Sequence, residues 1–405
     1  MLGSEDLAEL AEVHVPAKQV ERIAKGIGQE RCAERDRAAA AYLALPLLER
    51  KGAPAGVTPP DLAVVGTDGG RLQIFDRQAK AATADPPADS AGAEPALPDE
   101  DPQRRGRHWR EDKVGLLMAM TSKVSAVDPC PDVPEGFLDP TRMGKLVREL
   151  RKGVPLAEEP ARPAEDPDAE RQSLQAQGAA WEPPTVQHKR LVASRRSWEQ
   201  FAPLVAAAAW AMGLFAAPRR AFLGDGAENN WTVWRERFSS FEPVLDFIHA
   251  LSYVYAAAHA GRGRALGWSC YARWIRWVWS GQVAKVPEEL EARQKELGAP
   301  TEQDKETSPR VVVGKALTYL TNNTARMQYD KYRRQGLPIT SSYVESAVKQ
   351  FNQRVKGTEK FWSEEGAEAM LQLRADYLSD DKPLEAFWER RQAQQTGQRP
   401  YRSVA

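Results

Sequence analysis

At 405 residues the chain exceeds one average domain, so two or three structural units are expected. Hydrophobic residues make up 42% and charged residues 28%, enough for a sizeable core in a soluble globular protein with some loose segments. Lysine plus arginine and aspartate plus glutamate number 56 each, so overall charge offers no argument for nucleic acid, and the scattered Cys32, Cys130 and Cys270 suggest neither a disulfide framework nor a zinc site.

In chain order, residues 1–55 read as a helical region. Leu7, Leu10, Ala11 and His14 share one face, Val15-Pro16 breaks the pattern, and a second helix is predicted to run to Gly28. Two short helices joined this way fit a helix-turn-helix or a helical hairpin packed on the core. The first helical pattern begins almost at Met1, which raises the expectation of an upstream portion.

Residues 56–260 carry the first part of an α/β core. Asp61 to Asp68 has the pattern of a buried strand, Gly69-Gly70 of a turn, and Arg71 to Phe75 of a second strand. Lys113 to Met120 is predicted as a third. Residues 79–106 and 153–170 are acidic and rich in Pro and Ala, too polar to pack, and read as surface loops. Trp198 to Ala217 is predicted as a helix. Its alanine-rich run contains Pro203 and lies between arginine-rich flanks, so a buried helix explains it better than a membrane span. Arg219 to Gly226 reads as a short strand ending in Asp-Gly, Val244 to Phe247 as another, and Ile248 to Ala260 as a helix. Residues 261–335 are predicted to be an all-α insertion, residues 336–380 two helices with a break near Lys356-Gly357-Thr358, and residues 381–405 a tail. A cytoplasmic location and no membrane partner are expected.

Three carboxylates stand where a metal-binding trio needs them. Asp68 and Asp225 each end an apolar strand before glycine, and Glu345 lies just inside a helix that starts near Ser341 or Ser342. Hard divalent cations such as Mg²⁺ or Mn²⁺ take oxygen ligands of this type. Two such ions activate an attacking oxygen and stabilise the leaving oxygen in phosphodiester cleavage. On spacing alone the alternatives stay open: Asp-Gly is a common turn sequence, and Glu345 also fits a capping box.

The segment Pro338-Ile339-Thr340-Ser341-Ser342-Tyr343-Val344-Glu345-Ser346, followed by Arg354-Val355-Lys356, Phe361-Trp362, Gly366-Ala367 and Leu373-Arg374, resembles the C-terminal end of ISKra-type insertion-sequence transposases. That family's pattern reads roughly Pro-Ile-Gly-Ser-Gly-x-Val-Glu, a basic helix, a tryptophan, Gly-Ala and Leu-Arg. Phe222 to Ala227, with Trp231, is similar to the family's second-Asp strand, Leu245 to Ala250 to its Asp-aromatic-x-His segment, Val64 to Arg71 to its first-Asp strand, and Val15 to Gly28 to its helical region before the core. Thr340 and Ser342 stand where the family has glycines, which alters the start of the helix and keeps a capping hydroxyl. The resemblance implies a DDE-type transposase with an RNase H-like mixed sheet and flanking helices. It implies Asp68, Asp225 and Glu345 as the metal-binding catalytic trio, Asp246 and His249 as auxiliary residues, and Mg²⁺ or Mn²⁺ as the cofactor. The implied partners are double-stranded DNA, both element ends and target, and further copies of the chain on that DNA; a nucleoid-associated place follows.

Local charge points the same way. From Arg326 to Lys360 there are eight basic residues against three acidic ones, and Arg333, Arg334, Lys349, Arg354, Lys356 and Lys360 are the expected phosphate contacts. Lys189-Arg190 with Arg195-Arg196 forms a second cluster. The tryptophans from Trp268 to Trp279 fit packing inside a helical domain better than stacking on frayed bases. Two other functions remain: a non-catalytic or truncated DNA-binding relic of a transposase, and a glycoside hydrolase using Asp225 and Glu345 as paired carboxylates without metal.

Overall fold

In the computed structural model, residues 15–75, 107–150, 182–355 and 362–394 are described. The apolar run that opens β1 (Leu62–Phe75) is buried on both faces, and Leu62, Ala63, Val64 and Val65 have no solvent exposure. Burial of this kind stabilises by about 1.5–3 kcal/mol for each larger aliphatic side chain, so β1 sits at the centre of the core. It pairs antiparallel with β2 (Arg107–Thr121) on one side and parallel with β4 (Arg219–Gly224) on the other. β3 (Thr185–Ser194) continues the antiparallel half beyond β2, with a register shift at Ala119/Met120, and β5 (Glu242–Leu245) extends the parallel half beyond β4. The result is a five-stranded mixed sheet in the order β3-β2-β1-β4-β5.

Two sequence expectations change here. Gly69-Gly70 is no turn: the ladder runs straight through it, Gly69 facing Lys113 and Gly70 facing Asp112, so the two expected strands are one of 14 residues. The pair serves close approach instead, because a Cβ on Gly70 would lie 2.9 Å from both carboxylate oxygens of Asp112. The third antiparallel strand is β3, which the basic pair Lys189-Arg190 had disguised as a charged cluster; β2 is its neighbour and starts at Arg107.

Helices cover both faces. α1 (Ala17–Ala44) runs well past Gly28, where a Cβ would stand 2.6 Å from the Ala369 carbonyl oxygen; the glycine allows two helices to touch and does not end one. Buried Arg31 donates to Asp376 at 2.9 Å across the same contact, which makes α1 part of the packed body. Residues 1–14, the first helix of the expected pair, lie outside the described residues, as do the segments 79–106 and 153–170. α2 (Pro140–Leu150) follows β2, and α3 (Trp198–Ala211) packs on β2 through Phe201 and Val205, which lie against Gly115. α4 (Glu228–Arg237) joins β4 to β5, and α5 (Phe247–His259) follows β5.

The stretch expected to be all-α contains α6 (Arg264–Trp279), α7 (Lys285–Leu297), α8 (Pro309–Asn323) and α9 (Tyr329–Arg334). Trp274 and Trp279 are buried in it, as packing required. α10 (Ser342–Val355) crosses the sheet on the face opposite α3, and α11 (Glu364–Leu378) lies along β3. The residues expected as a tail begin with a further helix, α12 (Pro383–Ala393). Both sheet edges are covered. Leu191 N–H donates to the Ser379 hydroxyl and Lys189 N–H to Asp380 on the β3 side, while the Tyr329 and Tyr332 hydroxyls donate to the Leu245 and Pro243 carbonyls on the β5 side. Among the described residues no helix is long and apolar enough to cross a membrane.

Candidate functional site

β1, β4 and β5 run parallel; Asp225 and Asp246 stand just past the carboxyl ends of β4 and β5, whereas Asp68, expected to end its strand, lies in the middle of β1, two residues beyond the last residue paired with β4. The register pairs Gly66 with Leu223 and Gly224 with Leu245, so Asp68, Asp225 and Asp246 follow at the same level on neighbouring strands. The first two were expected from the sequence. Asp246 entered only through resemblance, although its own signal, an apolar pair Val244-Leu245 ending in Asp, matches that of Asp225. Carboxyl ends of parallel strands are where open α/β sheets present their functional groups.

Each aspartate is held differently. Asp68 accepts from the Gly69 N–H at 2.7 Å. Asp225 accepts on Oδ1 from the Ala227 N–H at 2.9 Å and from Asn230 Nδ2 at 2.8 Å; Asn230 is in turn fixed by the Thr67 hydroxyl at 2.7 Å. The backbone there turns at Gly226 with φ of 100°, where a side chain would be strained and would collide with the Tyr319 ring. The Tyr319 hydroxyl donates to the Asp225 carbonyl at 2.6 Å.

Asp246 is fully buried and caps α5, accepting from Ile248 N–H at 3.2 Å. Its Oδ1 also accepts from Ser341 N–H at 3.1 Å, and its Oδ2 lies 2.5 Å from Nδ1 of His249. Asp246 therefore ties the end of β5 to the residue just before α10. Glu345 sits in the first turn of α10, 3.5 Å from the Ser341 hydroxyl. Close approach of α10 to the sheet depends on Gly66, since a Cβ there would stand 2.5 Å from Cγ2 of Val344.

Electrostatics separate two groups. Burial and then the charge of Asp225 push the Asp68 carboxyl up to about 6, against the Gly69 hydrogen bond; Glu345 adds to the rise and His249 opposes it. Burial pulls His249 down, but the hydrogen bond and charge of Asp246, with the charges of Asp225 and Glu345, override it and raise the imidazole to about 9. Asp246 is depressed despite its burial, because His249 and Ser341 both donate to its charged form.

The side-chain ligand atoms of Asp246, His249 and Glu345 lie within 4.8 Å of one another. The same trio forms a latch between β5 and α10, with Oδ1 of Asp246 accepting from Ile248 and Ser341 and Oδ2 facing His249. Asp68 and Asp225 lie near this group, since the charges of Asp225 and Glu345 both act on Asp68, but among the described residues Asp68, Asp225 and Glu345 do not form a group close enough to share one ion.

The expected phosphate contacts divide. Lys349 and Arg354 are exposed on α10, Lys349 one turn beyond Glu345. Arg334 is paired with Asp330 within its own helix at 3.0 Å. Arg333 is corrected: it is fully buried, ion-paired with Asp128, donates to the Trp279 carbonyl at 2.9 Å and stacks over that indole at 4.0 Å, which leaves it no route to a phosphate. Lys356 and Lys360 lie outside the described residues. No protein-family model matches the chain, and no curated protein matches it in sequence.

Proposed function

We propose that the chain is a DDE-type transposase that cuts and joins the DNA ends of an insertion sequence by divalent-metal-dependent phosphodiester hydrolysis and strand transfer. The observation that carries the proposal is the electrostatic influence of Asp225, just past β4, and of helical Glu345 on Asp68 in the middle of β1, on a sheet ordered β3-β2-β1-β4-β5 with an antiparallel and a parallel half. That order supports an RNase H-like reading of the fold. Asp68, Asp225 and Glu345 would hold Mg²⁺ or Mn²⁺, which supplies activation of the attacking oxygen and stabilisation of the leaving oxygen.

The chain's own residues prepare that site. Asn230 and the Ala227 N–H fix one oxygen of Asp225. Asp246, bonded to Ser341 N–H, fixes the start of α10 and so the position of Glu345. Cationic His249 partly offsets the surrounding carboxylates and is suited to meet a phosphate oxygen. Lys349 and Arg354 continue a basic track along α10 for the strand that leaves the site.

The test is cleavage and joining of a labelled duplex carrying the flanking element ends, with Mg²⁺ or Mn²⁺ added or chelated, for the wild type and Asp68→Asn, Asp225→Asn and Glu345→Gln. Metal-dependent nicking at the end, lost in all three variants, is expected. End-specific binding without cleavage would favour the relic reading. Metal-independent hydrolysis of a glycoside that survives Asp68→Asn would overturn the proposal in favour of a glycosidase.

A further inference from the structure

Beside the carboxylates lies a cleft of about 980 Å³ whose wall begins at Gly226, the residue after Asp225. It opens between α4, α5, α7 and α8. Its volume is that of a small-molecule or nucleotide site. One wall is the stacked pair Tyr253 and Tyr319, with ring centroids 3.7 Å apart and planes within 8°. Arg326 lies over the ring of Trp231 at 4.3 Å, and exposed Lys315 stands on the rim. Gln294, Asn322 and Thr318 add amide and hydroxyl groups to the lining, and Glu228 adds a carboxylate, which is ion-paired with Arg235.

Two buried polar atoms in this lining have no hydrogen-bond partner. They are the indole Nε1–H of Trp231, whose side chain is 1% exposed, and Oε1 of Gln294, whose amide nitrogen donates to Gly298. Trp231 is fixed by its neighbours, with Gly224 against its ring and Arg326 over its face, so this donor is held where no protein acceptor reaches it. Both atoms are closed to solvent, so a ligand in the cleft meets the aromatic faces, the outer polar groups and the cations instead.

We propose that the cleft receives an unpaired nucleotide of the DNA strand adjoining the phosphate held at Asp68 and Asp225. The inference rests on the transposase reading and specifies what the site does with the neighbouring base. Asp225 and Gly226 are consecutive, so a strand whose phosphate meets the first has its next nucleotide at the mouth of the cleft. Aromatic walls take any base through its π-face, the side chains of Asn322 and Thr318 suit a base edge, and Lys315 and Arg326 suit the flanking phosphate. The Tyr319 hydroxyl, bonded to the Asp225 carbonyl, links occupancy of the cleft to the strand end that carries the carboxylate. A duplex cannot offer a base here without unpairing it, so the cleft favours frayed or single-stranded ends.

The experiment uses the full chain with a fluorescein-labelled ten-nucleotide oligodeoxythymidylate and the same oligomer carrying 5-iododeoxyuridine. Anisotropy should show binding that falls on the order of tenfold in Tyr253→Ala, within the range that base–aromatic stacking supplies, and is retained in Tyr253→Phe. Lys315→Ala, an exposed change that leaves the core intact, should weaken it several-fold by losing one phosphate contact. Ultraviolet crosslinks should map by mass spectrometry to Tyr253, Tyr319 or the peptides of α7 and α8. No binding, unchanged binding in Tyr253→Ala, or crosslinks confined to α10 would each overturn the proposal. Cleavage at element ends with crosslinks only elsewhere would sink the cleft and keep the transposase. Crosslinks in the cleft without any metal-dependent cleavage would do the reverse.

Discussion

Replacing Asp68 with asparagine should stabilise the metal-free protein above about pH 6 while abolishing its chemistry. Burial first, and then the charge of Asp225, raises this carboxyl from 3.8 to about 6. Each unit of pKa corresponds to about 1.4 kcal/mol between protonation states, so full ionisation costs the folded state about 3 kcal/mol. Partial contact with solvent reduces that, leaving about 1–3 kcal/mol to be recovered by the neutral amide. The folded value lies above the unfolded one, so wild-type stability is fullest below 3.8 and is lost as pH rises through about 6. Asparagine does not ionise, and the variant should gain on the wild type across that window and keep its lead above it. Urea unfolding in chelator at about pH 4.5 and about pH 8 measures the gap, provided the slope with denaturant is unchanged. Adding Mg²⁺ or Mn²⁺ at the higher pH should then raise the wild type and leave Asp68→Asn almost unmoved, since only the wild type gains from binding. A variant less stable than the wild type at pH 8 in chelator, or parallel pH profiles for the two, would refute the picture of a crowded carboxylate awaiting a cation.

The two kinds of arginine and lysine near the site should respond in opposite ways. Lys349→Ala should leave the urea midpoint unchanged and lower the slope of log affinity against log salt for duplex DNA by about one, as loss of one phosphate contact predicts. Arg333→Ala should cost about 3–5 kcal/mol in unfolding because it strands Asp128, with no change in salt slope for whatever protein remains folded. For His249, the folded value near 9 lies above the ordinary 6.5, so its contribution is complete below 6.5 and lost as pH rises through about 9. Thermal unfolding in chelator between those limits should therefore show a decline in the wild type that His249→Gln lacks.

Much of this arrangement is written locally in the chain. Asp68 and Asp225 each follow an apolar run that only a buried strand explains, and Glu345 follows serines that start a helix. What defeated sequence reading were features whose meaning depends on a distant partner. Gly69-Gly70 has the composition of a turn, yet the long β2 strand opposite keeps it extended, and the need for glycine comes from Asp112 across the ladder. β3 carries His188, Lys189 and Arg190 in mid-strand because it is an edge strand whose outer side meets Asp380 and Asp381, and neither acid is visible from position 189. Arg333 counts as one more positive charge until Asp128 and Trp279, 205 and 54 residues away, enclose it. Net charge over a window cannot distinguish a solvated cation from a buried one.

The same dependence on distant partners explains how the site divides its labour. Negative charge gathers from the middle of β1, the ends of β4 and β5 and the first turn of α10, and His249 sets a positive charge against Asp246 there. That pair is internally balanced and holds α10 through Ser341, so it serves geometry. Asp68 is raised by its burial first and then by the charges of Asp225 and Glu345. A lysine there would restore balance and lock the carboxylates to one another, closing the site. A divalent ion relieves the same crowding while keeping coordination positions for oxygen atoms of a substrate. The proposed role of Asp68, Asp225 and Glu345 as cation ligands therefore turns on whether added Mg²⁺ or Mn²⁺ stabilises the folded wild type and leaves Asp68→Asn unmoved.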